Sequence, residues 1–457
     1  MSRQVSRPDM NKRYQETLDW IYSWVDFSMK RHVDDKHRFF KLDRMNQLMD
    51  LVDHPEKKYP SVHVAGTKGK GSTAMLIASS LYYRGLKVGL YTSPHLEDFR
   101  ERIVINGAMI SENSVIELAE YMKPLTEKVP ETTTFELTTA MAFQYFAQEE
   151  VDIAVLEVGM GGRLDATNVV DPLVSVITSI SYDHTSVLGD TLAEIAAEKG
   201  GIIKPARPVV IAPQKPETLE TLLKIADKHG SPVIETNKEY SYEPLKHNLD
   251  SQTFQIQSRH IAIKSNNIST NTPLNLTMPL LGAHQIENAA TAVAALDIVR
   301  LKGFHVNRKA IKAGFRHVQW PARFEILRKK PPVVIDSAHN GDSMRRLVES
   351  IDEYFPELPF ILVFGASADK KLSDMLEVIL PRVELVIATQ SLHPRAATPE
   401  ELKEVIDQYS VPVIAVGPAE AALEEASSLT GTTKGILVTG SIFIAAAARA
   451  IWSQNQK

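Results

Sequence analysis

The stretch SVHVAGTKGKGSTAMLIASSLYYRG, residues 61–85, decides the fold. It opens on a short apolar run, turns through GTKGKGS (66–72), and continues with helical spacing to about Arg84. Glycines let the backbone bend and approach a ligand closely, and the first N–H groups of a helix have no partner inside it. A strand that enters a helix through three glycines and two lysines therefore presents bare N–H groups and positive charge to an anion. Phosphate suits that turn, with Lys70 reaching the terminal phosphates and Ser72 or Thr73 offering a hydroxyl to Mg2+. Gly66, Thr67, Gly69, Lys70, Gly71, Ser72 and Thr73 form the expected nucleotide loop. The spacing is shorter than that of the usual phosphate loop and inserts Gly71 after the lysine. A solvated glycine turn is the simpler alternative, and the three-glycine spacing of a dinucleotide site is absent.

Outward from this turn the same rhythm repeats. DIAVLEVG, LVSVITSI and PVVIAP are near-continuous apolar runs separated by polar or helical sequence, the pattern of a parallel sheet covered on both faces. From about Tyr240 to Met278 the pattern alternates instead, as in TFQIQS and HIAIKS, and predicts antiparallel strands appended to that sheet around the polar turn SNNISTNTP. An alanine-rich helix follows and ends at Gly303. A second series, RFEILR, PPVVIDSA, PFILVFGA, ELVIAT, PVIAVG and GILVTG, predicts another α/β unit. The expected fold is thus α/β: an N-terminal, P-loop-type, doubly wound and mostly parallel sheet with a small antiparallel appendage, and a smaller C-terminal Rossmann-like domain. The boundary is placed at HVQWPAR, giving domains 1–317 and 318–457, with 1–60 as an N-terminal helical extension.

Composition narrows the function. A net charge of −5 and a pI near 6.3 supply no basic field for nucleic acid. With no cysteine, disulfides, thiolate metal sites and a cysteine nucleophile are excluded. The polar start of the chain and the lack of a long apolar run predict a cytoplasmic protein with no membrane partner.

Three further positions carry chemistry. Glu157 ends a buried strand, where doubly wound sheets bind ligands, and must be paired or metal-bound; an ion pair with Arg163 is the plain alternative. SYDHTSVLGD ends the next strand and, if the two strands are neighbours, brings His184 beside Glu157, with Asp183 as a turn brace. Mg2+ needs few protein ligands when phosphate and water supply the rest. Lys199 closes a helix, where the helix dipole alone accounts for a lysine.

The chain resembles the folylpolyglutamate synthase and dihydrofolate synthase family, a branch of the ATP-dependent Mur-type amide ligases. The resemblance rests on HVAGTKGKGST, GLYTSPHLEDFRERIVING, TTFELTTAMAFQYFA, LEVGMGGRLDATN, SYDHTSVLGDTLAEIAAEKGGIIK, LGAHQIENAATA, WPARFE, DSAHN, FGASADKKL and LVTGSIF, in that order from about Ser61. It implies ATP on the glycine loop, with Lys70 on the phosphates. Ser72, Ser93, Glu157 and His184 become metal-associated positions for Mg2+, two ions being expected, and Lys199 matches a lysine that many members carry as a carbamate. Gln285, Asn288 and Arg323 match nucleotide contacts. Asp336 and His339 match residues that complete the nucleotide or glutamate side, and Ser441 is a weaker match for the incoming amino acid. The implied reaction joins L-glutamate to a folate or to dihydropteroate through an acyl phosphate, with release of ADP and phosphate, in a monomer. A Mur-type ligase for another carboxylate and a non-ligating ATPase are the alternatives. The departures are Lys68, where many bacterial members have Asn, Ser337, where Gly is common, EKGG in place of EKAG, and the poorly matched stretch KRHVDDKHRFF (30–40), near which the family recognises the pterin.

Overall fold

The computed structural model describes residues 7–24, 41–259 and 272–454. KRHVDDKHRFF, HIAIKS and most of SNNISTNTP lie outside the described residues.

The first sheet has eight strands: β1 (Ser61–Ala65), β2 (Val88–Tyr91), β3 (Ile103–Ile105), β4 (Ala108–Met109), β5 (Ile153–Glu157), β6 (Val174–Ile177), β7 (Val209–Ile211) and β8 (Val233–Glu235). Their spatial order is β4-β3-β2-β5-β1-β6-β7-β8. The six strands from β2 to β8 are parallel, whereas β3 and β4 form an antiparallel edge. Every residue of β1 and β5 is buried because helices cover both faces. Val62 and Val64 face the helices Lys70–Tyr83 and Ala283–Val299, and Ala154 and Leu156 face Thr134–Gln148.

The alternating region folds as expected but in a different place. Strands β9 (Tyr240–His247), β10 (Gln252–Ser258) and β11 (Leu274–Met278) form a separate antiparallel sheet rather than an extension of the first. Alternation gives this sheet one apolar face, and Phe254, Ile256, Leu274, Leu276 and Met278 spend it against the Ala283–Val299 helix. That helix runs on through a distorted turn at Arg300–Phe304, where Gly303 has φ 103°.

The C-terminal sheet contains β12 (Glu325–Lys329), β13 (Pro332–Ile335), β14 (Phe360–Phe364), β15 (Val383–Ala388), β16 (Val413–Ala415) and β17 (Gly435–Thr439), in the order β12-β13-β17-β14-β15-β16. Only β12 runs antiparallel to its neighbour. The loops after β13, β14 and β17 line one cleft with the loops after β1, β5 and β6.

Candidate active site

The cleft has a volume of about 1430 Å³. Its floor is the glycine loop. Gly66 has φ 147°, and a side chain there would meet Thr178 Oγ1 at 1.9 Å. The N–H groups of Thr67 and Lys68 donate to the carbonyl of Ser179 at 2.9 and 3.1 Å, which ties the loop to the end of β6. Gly69, with φ 85°, caps the Lys70–Tyr83 helix without any side-chain bond, so the first turn keeps its N–H groups for an anion. Lys70, Gly71 and Ser72 line the cleft, whereas the Thr73 hydroxyl is buried with no hydrogen-bond partner among the described residues.

Glu157 stands at the end of β5, 5 % exposed, and accepts the Ser93 N–H at 3.2 Å. The sequence alternative fails here, because Arg163 pairs with Glu198 at 2.7 Å. Burial raises the Glu157 pKa, opposed first by Lys70, and no lysine or arginine comes within ion-pair distance among the described residues. A buried carboxylate so short of positive charge fits a cation. His184, in the left-handed region at φ 49°, places a half-exposed ring in the cleft, and desolvation lowers its pKa despite Asp183. Among the described residues no three His, Asp or Glu side chains gather closely enough to hold a metal by themselves. Glutamate, imidazole and hydroxyl donors suit Mg2+ when phosphate oxygens and water complete its shell.

Lys199 is buried and donates to the Gly66 carbonyl at 3.0 Å. Burial, and then Lys70, push its pKa down to about 7. This is no ordinary helix-end lysine, since its head lies under the nucleotide loop rather than in solvent.

Gln285 and Asn288 line the same cleft and bond to each other, Asn288 Nδ2 donating to Gln285 Oε1 at 3.0 Å. Arg323 donates to the hydroxyl of Ser337 and to its neighbour's carbonyl, with its guanidinium 5.8 Å from the Trp320 ring centroid. The Asp336 carboxylate is taken up by the N–H groups of Phe324 and Ala338, both at 2.8 Å, and so braces the strand end that carries Arg323. His339 directs Nδ1 at the Ser337 carbonyl, 2.9 Å away, and Nε2 at Lys68 Nζ, 3.2 Å away. The Ser441 hydroxyl accepts the Ile444 N–H at 3.2 Å and starts the Ile442–Gln454 helix at the cleft.

Lys68, Asp183, Asn340 and Lys370 join this constellation, although sequence reading gave Lys68 only as one of the turn's two charges, Asp183 only as a turn brace, and the other two no role. Asp183 accepts from all three of the others, at 3.1 to 3.2 Å. The one local signal was the position of Asp183 directly before His184.

Comparison with known proteins places these features in a family. Residues 64–296 match the Mur ligase middle domain, and residues 322–442 match the Mur ligase glutamate ligase domain. A dihydrofolate synthase/folylpolyglutamate synthase of Bacillus subtilis is 34% identical over 440 residues, covering 94% of this chain and 97% of the relative. Among solved structures, Mycobacterium tuberculosis folylpolyglutamate synthase complexed with ADP superposes with a TM-score of 0.85 at 31% identity, covering 97% of this chain and 99% of that one. A folylpolyglutamate synthase complex with AMPPCP and folate superposes with a TM-score of 0.78 at 27% identity, covering 95% and 98%. The chain therefore belongs to the Mur ligase family, in its folylpolyglutamate synthase and dihydrofolate synthase branch.

Proposed function

We propose that this ligase joins the amino group of L-glutamate to the carboxylate of a folate or of dihydropteroate, using ATP. The reading is carried by one observation: the uncapped first turn of the Lys70–Tyr83 helix and the buried Glu157, which has no ion-pair partner among the described residues, face the same cleft as the loops of the C-terminal sheet.

A carboxylate does not condense with an amine in water until it is activated. One of its oxygens attacks the γ-phosphorus of ATP, the bond to the β–γ bridging oxygen breaks, and ADP leaves. The amine nitrogen then attacks the acyl carbon, phosphate departs, and the nitrogen gives up a proton. In such transfers the protein positions groups and neutralises charge. Lys70 and the loop N–H groups hold the phosphates, while Arg323, Gln285 and Asn288 fix the nucleotide. Mg2+, held through Glu157, His184, Ser72 and Ser93, supplies charge neutralisation at the phosphate oxygens when bound.

Lys199, with its pKa pushed down to about 7, is partly neutral at physiological pH and suited to carbamylation. Its neutral nitrogen would add to the carbon of CO2 and lose a proton, and the oxygens of the resulting carbamate would carry a negative charge able to hold Mg2+. His339 and Ser441 lie toward the amino-acid side, and Tyr22, Leu96 and Phe135 offer an apolar, aromatic wall to the pterin. The division into domains 1–317 and 318–457 puts the nucleotide loop in the first and the amino-acid side in the second, in a monomeric cytoplasmic protein. Among the described residues no helix is long and apolar enough to cross a membrane.

The test is product mass after incubation with ATP, Mg2+ and L-glutamate, offering dihydropteroate and tetrahydrofolate in separate reactions. A glutamate adduct on either establishes the reaction and its acceptor. No adduct on either defeats the folate reading.

A further inference from the structure

Three other segments converge on the carboxylate of Asp183, whose side chain is 8% exposed. Oδ2 accepts from Lys68 Nζ at 3.2 Å and from Asn340 Nδ2 at 3.1 Å, with His339 Nε2 at 3.4 Å. Oδ1 accepts from Lys370 Nζ at 3.1 Å and from the N–H of His184 at 3.0 Å. Lys68 belongs to the nucleotide loop, His339 and Asn340 to the loop after β13, and Lys370 to the loop after β14. Asp183 itself follows β6, so one carboxylate ties the first sheet's nucleotide loop to two loops of the C-terminal sheet.

In the neutral imidazole His339 Nδ1, which faces a carbonyl, donates to it, and Nε2 is left as an acceptor for Lys68. Lys68 thereby bonds to both sides of the cleft at once. Two ammonium groups against one carboxylate leave one positive charge over, beside the turn that receives phosphate.

Buried ion clusters are a poor source of stability, because desolvation offsets the attraction and apolar packing would do as well; removing one member is what costs. Their best-attested use is to fix one register between parts that could otherwise slide. We infer that Asp183 is the positioning residue that sets the C-terminal domain over the nucleotide loop, holding His339 and Lys370 on the amino-acid side in register with Lys68. Its kinetic consequence rests on the ligase reading above, but its geometric consequence does not.

The absence of cysteine allows a direct test. Asp227→Cys and Glu404→Cys, on exposed positions of the Pro216–Lys228 and Pro399–Ile406 helices, would carry spin labels on either side of the cleft. The expected result is one narrow distance distribution with Asp183 present, broadened in Asp183→Asn and likewise in Lys370→Met. The second variant keeps the test decisive if the first fails to fold. Equal widths in all three proteins, or a broad distribution already present with Asp183 intact, would overturn the proposal. Kinetically, Asp183→Asn should raise KM for the amino acid at least about tenfold while ATP affinity moves less than about threefold. Matching losses in both would also overturn it, by making Asp183 merely part of the nucleotide loop. If the unmutated chain forms no adduct, the reaction assignment fails and the distance measurement still decides the role of Asp183.

Discussion

Arg323 gives one guanidinium N–H to the hydroxyl of Ser337, a residue on the far side of the β12–β13 hairpin. The same nitrogen also reaches the Ala322 carbonyl at 3.0 Å. The Ser337 hydroxyl is thus the acceptor that aims the arginine.

Ser337→Gly should therefore loosen Arg323 without removing it. A lost bond to a charged donor is worth about 1.5–3 kcal/mol, and the surviving carbonyl contact places the effect at the low end. The expected outcome is an ATP affinity weaker by about tenfold, with the melting temperature nearly unchanged. Titration calorimetry with a non-hydrolysable ATP analogue checks it, and unchanged affinity would leave Ser337 without a role in holding Arg323.

The extra glycine of the loop has a steric cause. A Cβ on Gly71 would lie 2.5 Å from Trp320 Cζ2, and one on Gly69 would lie 2.1 Å from Asn288 Oδ1. Gly69 carries a further penalty from its φ of 85°. Gly69→Ala should weaken ATP binding more than Gly71→Ala, because the first alteration strains the backbone and displaces a nucleotide-side amide while the second displaces only a ring. The same calorimetry, run on both variants, would contradict this if the order were reversed.

The parts of this molecule that were legible in its sequence are the local ones. β1 and β5 are five-residue, fully buried and mostly apolar runs, and each ends at a turn whose glycines and charged residue lie within a few positions. The nucleotide loop and Glu157 could be read for that reason. The placement of β9–β11 could not, since alternation reveals that one face is buried but not what covers it. Asp183 was legible only as a turn residue because its partners Lys68, Asn340 and Lys370 lie 115, 157 and 187 positions away. Its own residues gave Lys199 only as a helix-end lysine, and the family resemblance alone gave it another role, because the Gly66 carbonyl that takes its ammonium lies 133 positions away.

The helix Thr134–Gln148, whose first turn borders the cleft, is held by a buried ion pair. Arg44 Nε lies 3.1 Å from both carboxylate oxygens of Glu136, with side chains 9% and 7% exposed. Glu136 also accepts the Thr133 N–H at 2.7 Å, closing the helix cap. Arg44→Met leaves that carboxylate buried without its cation, a loss of about 3–5 kcal/mol. Urea unfolding should show a large fall in midpoint. A change below about 1 kcal/mol would mean that the pair is solvated and contributes as a surface bridge does.

His63 provides a pH test remote from the cleft. It is fully buried in β1, and its Nε2 lies 2.8 Å from Thr167 Oγ1. The Thr167 hydroxyl donates to Asp165 Oδ1 at 2.5 Å, so His63 Nε2 must carry the proton, while Nδ1 has no partner among the described residues. Burial, and then Lys204, push the His63 pKa down to about 3. In the unfolded chain it returns to about 6.5, so between these values the unfolded state binds the extra proton and stability falls as pH falls. The slope is about 1.4 kcal/mol per pH unit, or about 2 kcal/mol between pH 6.5 and 5.0. His63→Leu removes the titration, and Thr167 keeps its bond to Asp165. The difference in unfolding free energy between the two proteins should therefore shift by about 2 kcal/mol toward the variant when urea curves at pH 7.5 are repeated at pH 5.0. A constant difference across that interval would mean that His63 accepts its proton in the folded state.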